Sequence, residues 1–224
     1  MMTSDNAQQH EDSNPYLPLL IDFSDKLVVI FGGGAVGERK AKRFCEKAPV
    51  TIVSSSLTAE LKEMETCDSF LFIQKDISKL TDGEIFDCIS DAFLVIAATS
   101  DSEINCKIIS MAKTAGILAN NTEDADEVVI PSFIERGGLQ ISISSGGESP
   151  AVTKYARMKI ESVIGDDFEK MIDLQTEMRE YLKTVESDQK KRQEILWEIM
   201  NDEKIWKLLS VDFEKAKNAA KAKF

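Results

Sequence analysis

The sequence predicts an α/β protein: a parallel sheet in its N-terminal part, a small central region, and a helical C-terminal part. Three observations carry that expectation. Short apolar runs alternate with amphipathic stretches up to about residue 122. A glycine-rich turn directly follows the first apolar run. From Asp166 onward glycine and proline vanish, and apolar residues recur at helical spacing among charges. Strands alternating with helices imply βαβ units, right-handed crossovers and parallel pairing.

The elements follow in order. Leu27 to Phe31 (LVVIF) is a continuous, β-branched apolar run, as expected of a strand buried on both faces. Ala35 to Lys47 places Val36, Ala41, Phe44 and Cys45 among charges, the pattern of an amphipathic helix. Val50 to Val53 is a second strand, Leu57 to Met64 a helix, and Phe70 to Ile73 a third strand. Glu84 to Ser90 reads as a short helix and Phe93 to Ala98 as a fourth strand. Asp101 to Ala115 reads as a helix stopped by Gly116, and Ile117 to Asn120 as a fifth strand. Val128 to Ile130 and Leu139 to Ser144 are expected as two further strands. In the second, Leu139, Ile141 and Ile143 alternate with polar residues, so one face is wet. Ser149 followed by Pro150 marks a helix start, with a run to Ile164 and a stop at Gly165. Two or three amphipathic helices are expected beyond it.

The 224 residues suffice for one α/β domain with an appendage, or for two small domains. No apolar run approaches the ~18 residues of a membrane span, so no membrane partner is expected. Residues 1–15 are polar and lack the apolar centre of a signal peptide, and read as a disordered tail. The four cysteines lie about 20 residues apart with no CxxC pair, which argues against structural zinc and a disulfide framework. A reducing cytoplasm fits that usage. The net charge of −12 makes nucleic acid a poor partner. The single histidine, His10, sits in the tail, so proton chemistry falls to Asp, Glu, Lys, Tyr or Cys.

Gly32, Gly34 and Gly37 fit G-x-G-x-x-G between a strand and a helix. One glycine is needed for the tight turn, one for backbone approach to a pyrophosphate, and one for close helix–strand packing. Helix N-terminal N–H groups then face the phosphates. In this context the pattern predicts a Rossmann-type dinucleotide site; the alternative is a turn that is merely tight. The usual ribose-binding acid after the second strand is absent, and Ser54, Ser55 and Ser56 stand there instead. The choice between NAD and NADP stays open on these residues. Ala97 to Asp101 (AATSD) is expected beside the cofactor, or else simply forms a βα loop.

Two further stretches stand out. ISSGGESPAVTKYAR, residues 143–157, gathers serines, glycines and a capped helix start, with Lys154, Arg157 and Lys159 following. It reads as a set of N–H and hydroxyl donors able to hold carboxylates, or as a glycine loop with a good cap. NNTEDADEVVIPSF, residues 120–133, carries four acids after the fifth strand. It is either a solvated loop or part of a site, since ligands of doubly wound sheets bind at the carboxyl edge.

Together with YLPLLIDFSDKLVVIFGGGAVGERKAKRF, FLVIAATSD and IPSFIERGGLQISISSGGESPAVTKYARMKIE, these stretches resemble the precorrin-2 dehydrogenase family of siroheme biosynthesis, over residues 16 to about 165. The resemblance implies NAD-dependent oxidation of precorrin-2 to sirohydrochlorin. It also implies a homodimer with a Rossmann domain at residues 16–122, a dimerisation and tetrapyrrole-site region at 123–165, and a helical domain at 166–224, the active site lying in a cleft between these parts. Asp124, in Asn121-Thr122-Glu123-Asp124, matches the family's catalytic aspartate. The loop to Pro131 is shorter than in siroheme synthase, so Glu123 and Asp126 remain alternatives. Ser145 matches the family's tetrapyrrole-site serine. The cofactor set is then Gly32, Gly34, Ala35, Val36, Gly37, Ser54, Ser55, Ala98 and Thr99. The substrate set is Ser144, Ser145, Gly146, Gly147 and Lys154, and no metal ligands are assigned. Some family members also insert Fe²⁺, and Asp124 would be the base for that step. The rival readings are a nucleotide-sensing module, which would need neither SSGGESP nor the acidic loop, and a dehydrogenase for another small substrate.

Overall fold

A computed structural model describes residues 16–123 and 127–223. The chain divides into two compact units, one ending at Ile130 and the other beginning at Pro131.

The first unit is a five-stranded sheet: β1 (Val28–Phe31), β2 (Val50–Ser54), β3 (Phe70–Gln74), β4 (Leu94–Ala97) and β5 (Leu118–Asn121). The spatial order is β3-β2-β1-β4-β5 and every pairing is parallel. Val28 lies opposite both Val50 and Leu94, and Phe31 opposite Val53 and Ala97. Strand side chains alternate between faces, so a strand buried on both sides must be apolar throughout. Thus Val28, Ile30, Ile52 and Ile96 enter one layer with Ala41, Phe44 and Leu61, whereas Val29, Phe31, Val53 and Val95 enter the other with Ile85, Ile108 and Ala112. Each such buried branched side chain contributes about 1.5–3 kcal/mol. The helices supplying those layers are α1 (Ala35–Phe44), α2 (Ala59–Met64), α3 (Asp82–Ile89) and α4 (Ser102–Thr114), and a 3₁₀ turn spans Ile77–Lys79. Thr81 and Glu84 close a reciprocal capping box on α3, and Asp101 caps α4 through the N–H groups of Glu103 and Ile104. Gly116, at φ +72°, ends α4 as expected.

One expected strand is absent. Residues 128–130 form no strand, although Val128 and Ile130 pack against the first core layer. Their apolarity reports burial rather than ladder pairing, and the Val128 carbonyl is taken by the Asn120 side-chain amide at 2.7 Å.

The second unit opens with an antiparallel hairpin, β6 (Ser132–Arg136) and β7 (Leu139–Ile143). Arg136 pairs with Leu139 across Gly137–Gly138, and Gly137 takes φ +54°, as a two-residue hairpin turn requires. Gln140 and Ser142 are exposed while Leu139, Ile141 and Ile143 are half-buried, the expected alternation. Ser149 caps α5 (Pro150–Glu161), which ends three residues before the expected Ile164. Among the described residues four helices then follow rather than two or three: α6 (Asp167–Val185), α7 (Gln189–Met200), α8 (Glu203–Leu209) and α9 (Phe213–Lys221). Met171, Leu174 and Met178 of α6 share a core with Ile199, Ile205, Leu209, Ala216 and Ala220. The breaks need no glycine or proline, because Asp188, Asp202 and Asp212 each accept an N–H of the next helix's first turn.

Candidate active site

The strand order reverses between β1 and β4, and the crevice beyond their carboxyl ends is where doubly wound sheets bind ligands. A cleft of about 530 Å³ lies there, walled by the β1 turn (Gly32, Gly33, Gly34), the start of α1 and the loop after β4. The β2 tip and the segment after β3 complete it.

The glycines of the turn divide their work. Gly32 sits at φ +116°, a conformation that strains any side chain. Its N–H donates to the Val53 carbonyl at 2.9 Å, and a Cβ would run into the Ala98 carbonyl. At Gly37 a Cβ would strike the Gly32 carbonyl, so α1 packs on the turn only because the residue is bare. Gly33 is similarly hemmed in by the Ser56 carbonyl, a constraint the spacing of the motif does not single out. Gly34 is different: its φ is ordinary, and a methyl group added there would meet nothing within 4 Å. No packing demand of the fold accounts for a glycine at this position. It is also the N-cap of α1 and offers no side-chain acceptor to the helix's leading N–H groups. Bare backbone beside an uncapped helix start is what a bound pyrophosphate requires.

Of the residues assigned to the cofactor, Gly32, Gly34, Ala35, Val36, Ser54, Ser55, Ala98 and Thr99 line this cleft, and Gly37 lies behind it. The βα loop after β4 is held rigidly. The Thr99 N–H and hydroxyl both reach Asn105 Oδ1, at 3.1 and 2.7 Å, and Asn105 Nδ2 donates back to the Thr99 carbonyl at 3.1 Å. Asn105 is fully buried. Its role is not legible in the sequence, where it is one polar residue on an amphipathic helix. The cleft also includes Asp76, Ile77 and Ser78 from the segment after β3, a stretch that carries no motif in the sequence.

Of the NNTED stretch, Asn121 is buried and its side-chain oxygen accepts the Glu123 N–H at 3.1 Å. The Thr122 hydroxyl donates to the Ala97 carbonyl at 3.0 Å, tying this stretch to the end of β4. Asp124 and Asp126 lie outside the described residues. Nearby, the Lys40 ammonium reaches Asn120 Oδ1 at 3.4 Å. Burial, with Arg43 and Arg39 alongside, pushes this lysine down to about 8.

In the second unit the SSGG loop is built by its own polar groups. Gly146 and Gly147 take φ +66° and +93°, conformations that favour glycine. Ser144 Oγ accepts the Gly146 N–H at 3.0 Å, and Ser145 Oγ accepts the Ser149 N–H at 3.0 Å. The Thr153 hydroxyl lies 3.1 Å from Ser145 Oγ and 3.2 Å from the Ser149 carbonyl, one proton for two acceptors. Lys154 is exposed on the first turns of α5. The other two bases of that helix are engaged locally: Arg157 pairs with Glu161 at 2.8 Å, and Lys159 stands over the Tyr155 ring. Among the described residues no cluster of His, Cys, Asp or Glu is arranged to hold a metal ion.

Comparison with known proteins agrees with this geometry. Residues 19–132 match the family described as "Putative NAD(P)-binding", and residues 136–162 match "Sirohaem biosynthesis protein central". The chain is 44% identical to the precorrin-2 dehydrogenase of Methanosarcina barkeri over 94% of each chain. It is 30% identical to the siroheme synthase of Tolumonas auensis over 75% of this chain and 35% of that longer one. A solved structure, "SirC, precorrin-2 dehydrogenase", superposes with a TM-score of 0.70 over 92% of this chain and 100% of its own, at 22% identity, which shows a shared fold. The chain belongs to the precorrin-2 dehydrogenase family.

Proposed function

We propose that this protein oxidises precorrin-2 to sirohydrochlorin with NAD, a step of siroheme biosynthesis. The observation that carries the reading is the cleft at the β1/β4 crossover, where Gly34 leaves space that no protein atom needs, over a helix start with no side-chain cap. The residues present fit a dinucleotide: bare backbone and helix N–H groups suit a pyrophosphate, and Ser54, Ser55, Ala98 and Thr99 offer small walls on either side. NAD, when bound, accepts the hydride.

The rest of the chemistry falls to the chain. Dehydrogenation also releases a proton, and with no histidine outside the tail a carboxylate can take it. We assign that role to Asp124. The Thr122 and Asn121 contacts support it, because they fasten residues 121–123, which lead up to it, to the end of β4 and to one another. The substrate carries several carboxylates, and Ser144, Ser145, Gly146, Gly147 and Lys154 are assigned to bind them. Gly146 and Gly147, in left-handed conformations, keep the loop free of side chains at those positions, in support of that assignment.

The three-part organisation (16–122, 123–165, 166–224), a homodimer and a cytoplasmic location complete the proposal. The dimer draws support from α5, which buries none of its residues and exposes Val152, Tyr155 and Met158 at helical spacing. A reducing compartment is compatible with the four cysteines, all of them free.

The test is an anaerobic absorbance assay with precorrin-2 made in situ, with NAD or NADP, with and without Fe²⁺ or Co²⁺. NAD-dependent sirohydrochlorin is the expected product, and Asp124→Ala is expected to abolish it while retaining NAD binding. No change with either dinucleotide overturns the assignment and turns attention to nucleotide sensing. The metal lanes decide whether the same protein also inserts iron.

A further inference from the structure

The sequence lacks the acid that usually follows β2 and binds the adenosine ribose, and the structure brings a different acid to the same cleft. β3 lies beside β2 at the edge of the sheet, and the chain leaving it places Asp76 in the cleft wall together with Ser54 and Ser55. From this placement we infer that Asp76 is the residue that selects NAD over NADP, standing in for the missing β2 acid. The inference rests on the dinucleotide reading of the cleft.

The geometry favours a fixed negative charge here. Asp76 Oδ1 accepts the Ser78 N–H at 3.2 Å and the Ser78 hydroxyl at 2.6 Å, while Oδ2 lies 2.7 Å from Lys79 Nζ. These contacts hold the carboxyl below its ordinary range, the Lys79 hydrogen bond first and Ser78 second. The carboxylate therefore stays ionised near neutrality. Lys79, paired at 2.7 Å, offsets part of this charge, so its contribution has to be separated from that of Asp76 in the test. The dinucleotide's pyrophosphate belongs at the α1 start, which leaves the β2 and β3 side of the cleft for the adenosine half. An NAD ribose presents hydroxyls to an acid, with hydrogen bonding available. An NADP ribose presents a phosphate at the same place, and two anions repel. Serines at the β2 tip could bind either form, so on that side of the cleft the discrimination falls to Asp76.

Direct binding of NAD and of NADP, by calorimetry or by nicotinamide fluorescence of the reduced forms, tests this without turnover. Asp76→Asn keeps the oxygen that caps the 3₁₀ turn and removes the charge, and with it the ion pair to Lys79. It is expected to tighten NADP binding and narrow the NAD:NADP ratio about fivefold or more. Asp76→Ser, which also keeps a cap oxygen, is expected to do the same. Removing Asp76 frees Lys79 to attract a phosphate, so the double variant Asp76→Asn/Lys79→Gln is needed, and most of the shift should survive in it. An unchanged ratio in these variants, equal affinity of the unaltered protein for both dinucleotides, or a shift that disappears in the double variant overturns the inference while leaving the dinucleotide site intact. Failure of the unaltered protein to bind either dinucleotide overturns the reading beneath it.

Discussion

At the scale of single residues, two glycines of one turn carry opposite expectations. A methyl group at Gly34 meets nothing and its backbone is unstrained, so Gly34→Ala should leave stability within about 0.5 kcal/mol while weakening NAD binding. At Gly37 the same methyl collides with the Gly32 carbonyl, and Gly37→Ala should destabilise by about 1–3 kcal/mol. Denaturant unfolding alongside NAD titration separates the two; similar stability losses would mean the motif is structural at both positions. Lys40 makes a second case. Its folded pKa of about 8 lies below the ordinary 10.5 because burial opposes the charge. Between those values the unfolded chain holds more protons than the folded one, so stability rises with pH across that window. Below it the buried ammonium is a constant penalty. Lys40→Met should therefore melt higher than the unaltered protein at pH 7, with ~2–4 °C for each ~1 kcal/mol gained, and the advantage should shrink as pH approaches 10. The same difference at both pH values would remove burial of the charge as its cause.

At the scale of elements, capping decides what hydrophobic spacing leaves open. The C-terminal helices carry apolar residues at helical intervals almost without interruption, which is why the sequence predicts two or three helices and not where each one ends. Asp188, Asp202 and Asp212 make the divisions. Asp202 caps α8 through the Lys204 N–H at 2.8 Å and also pairs with Lys223 at 2.7 Å, which ties the start of α8 to the end of the chain. Lys223 first, then the Lys204 N–H, hold its carboxyl below 3.8. A depressed carboxyl stabilises the fold above its unfolded pKa and loses that contribution as pH falls through the folded one. Asp202→Ala should cost about 1 kcal/mol near neutrality. The deficit should close as pH drops below 3.8, followed by helical circular dichroism in denaturant. A deficit that persists in acid would point to packing instead. The missing strand at 128–130 teaches the complementary lesson: an apolar run signals burial, while a strand also needs a free ladder partner.

At the scale of the whole molecule, the proposed homodimer has to work against charge. A chain of net charge −12 repels its copies, so self-association needs an apolar contact. Helix α5 offers one, with Tyr155 63% exposed between Val152 and Met158. Tyr155→Glu is expected to shift the protein from dimer to monomer in light scattering while leaving NAD binding unchanged. A dimer that survives the substitution places the interface elsewhere. No helix among the described residues is long and apolar enough to cross a membrane.

The sequence by itself determined the parallel sheet, the turn glycines, the β7 alternation and the α5 start. Each of these is a local signal: strand periodicity, glycine spacing, a Ser-Pro cap. It also carried enough resemblance to name the family. Only the tertiary structure decided which turn glycine leaves room for a ligand, because the space around a missing Cβ is set by distant backbone such as Ala98. It alone joined Asn105 to Thr99, and brought Lys40 against Asn120, 80 positions away. It alone placed Asp76 beside the β2 serines, since strand order, and not sequence distance, makes β3 the neighbour of β2.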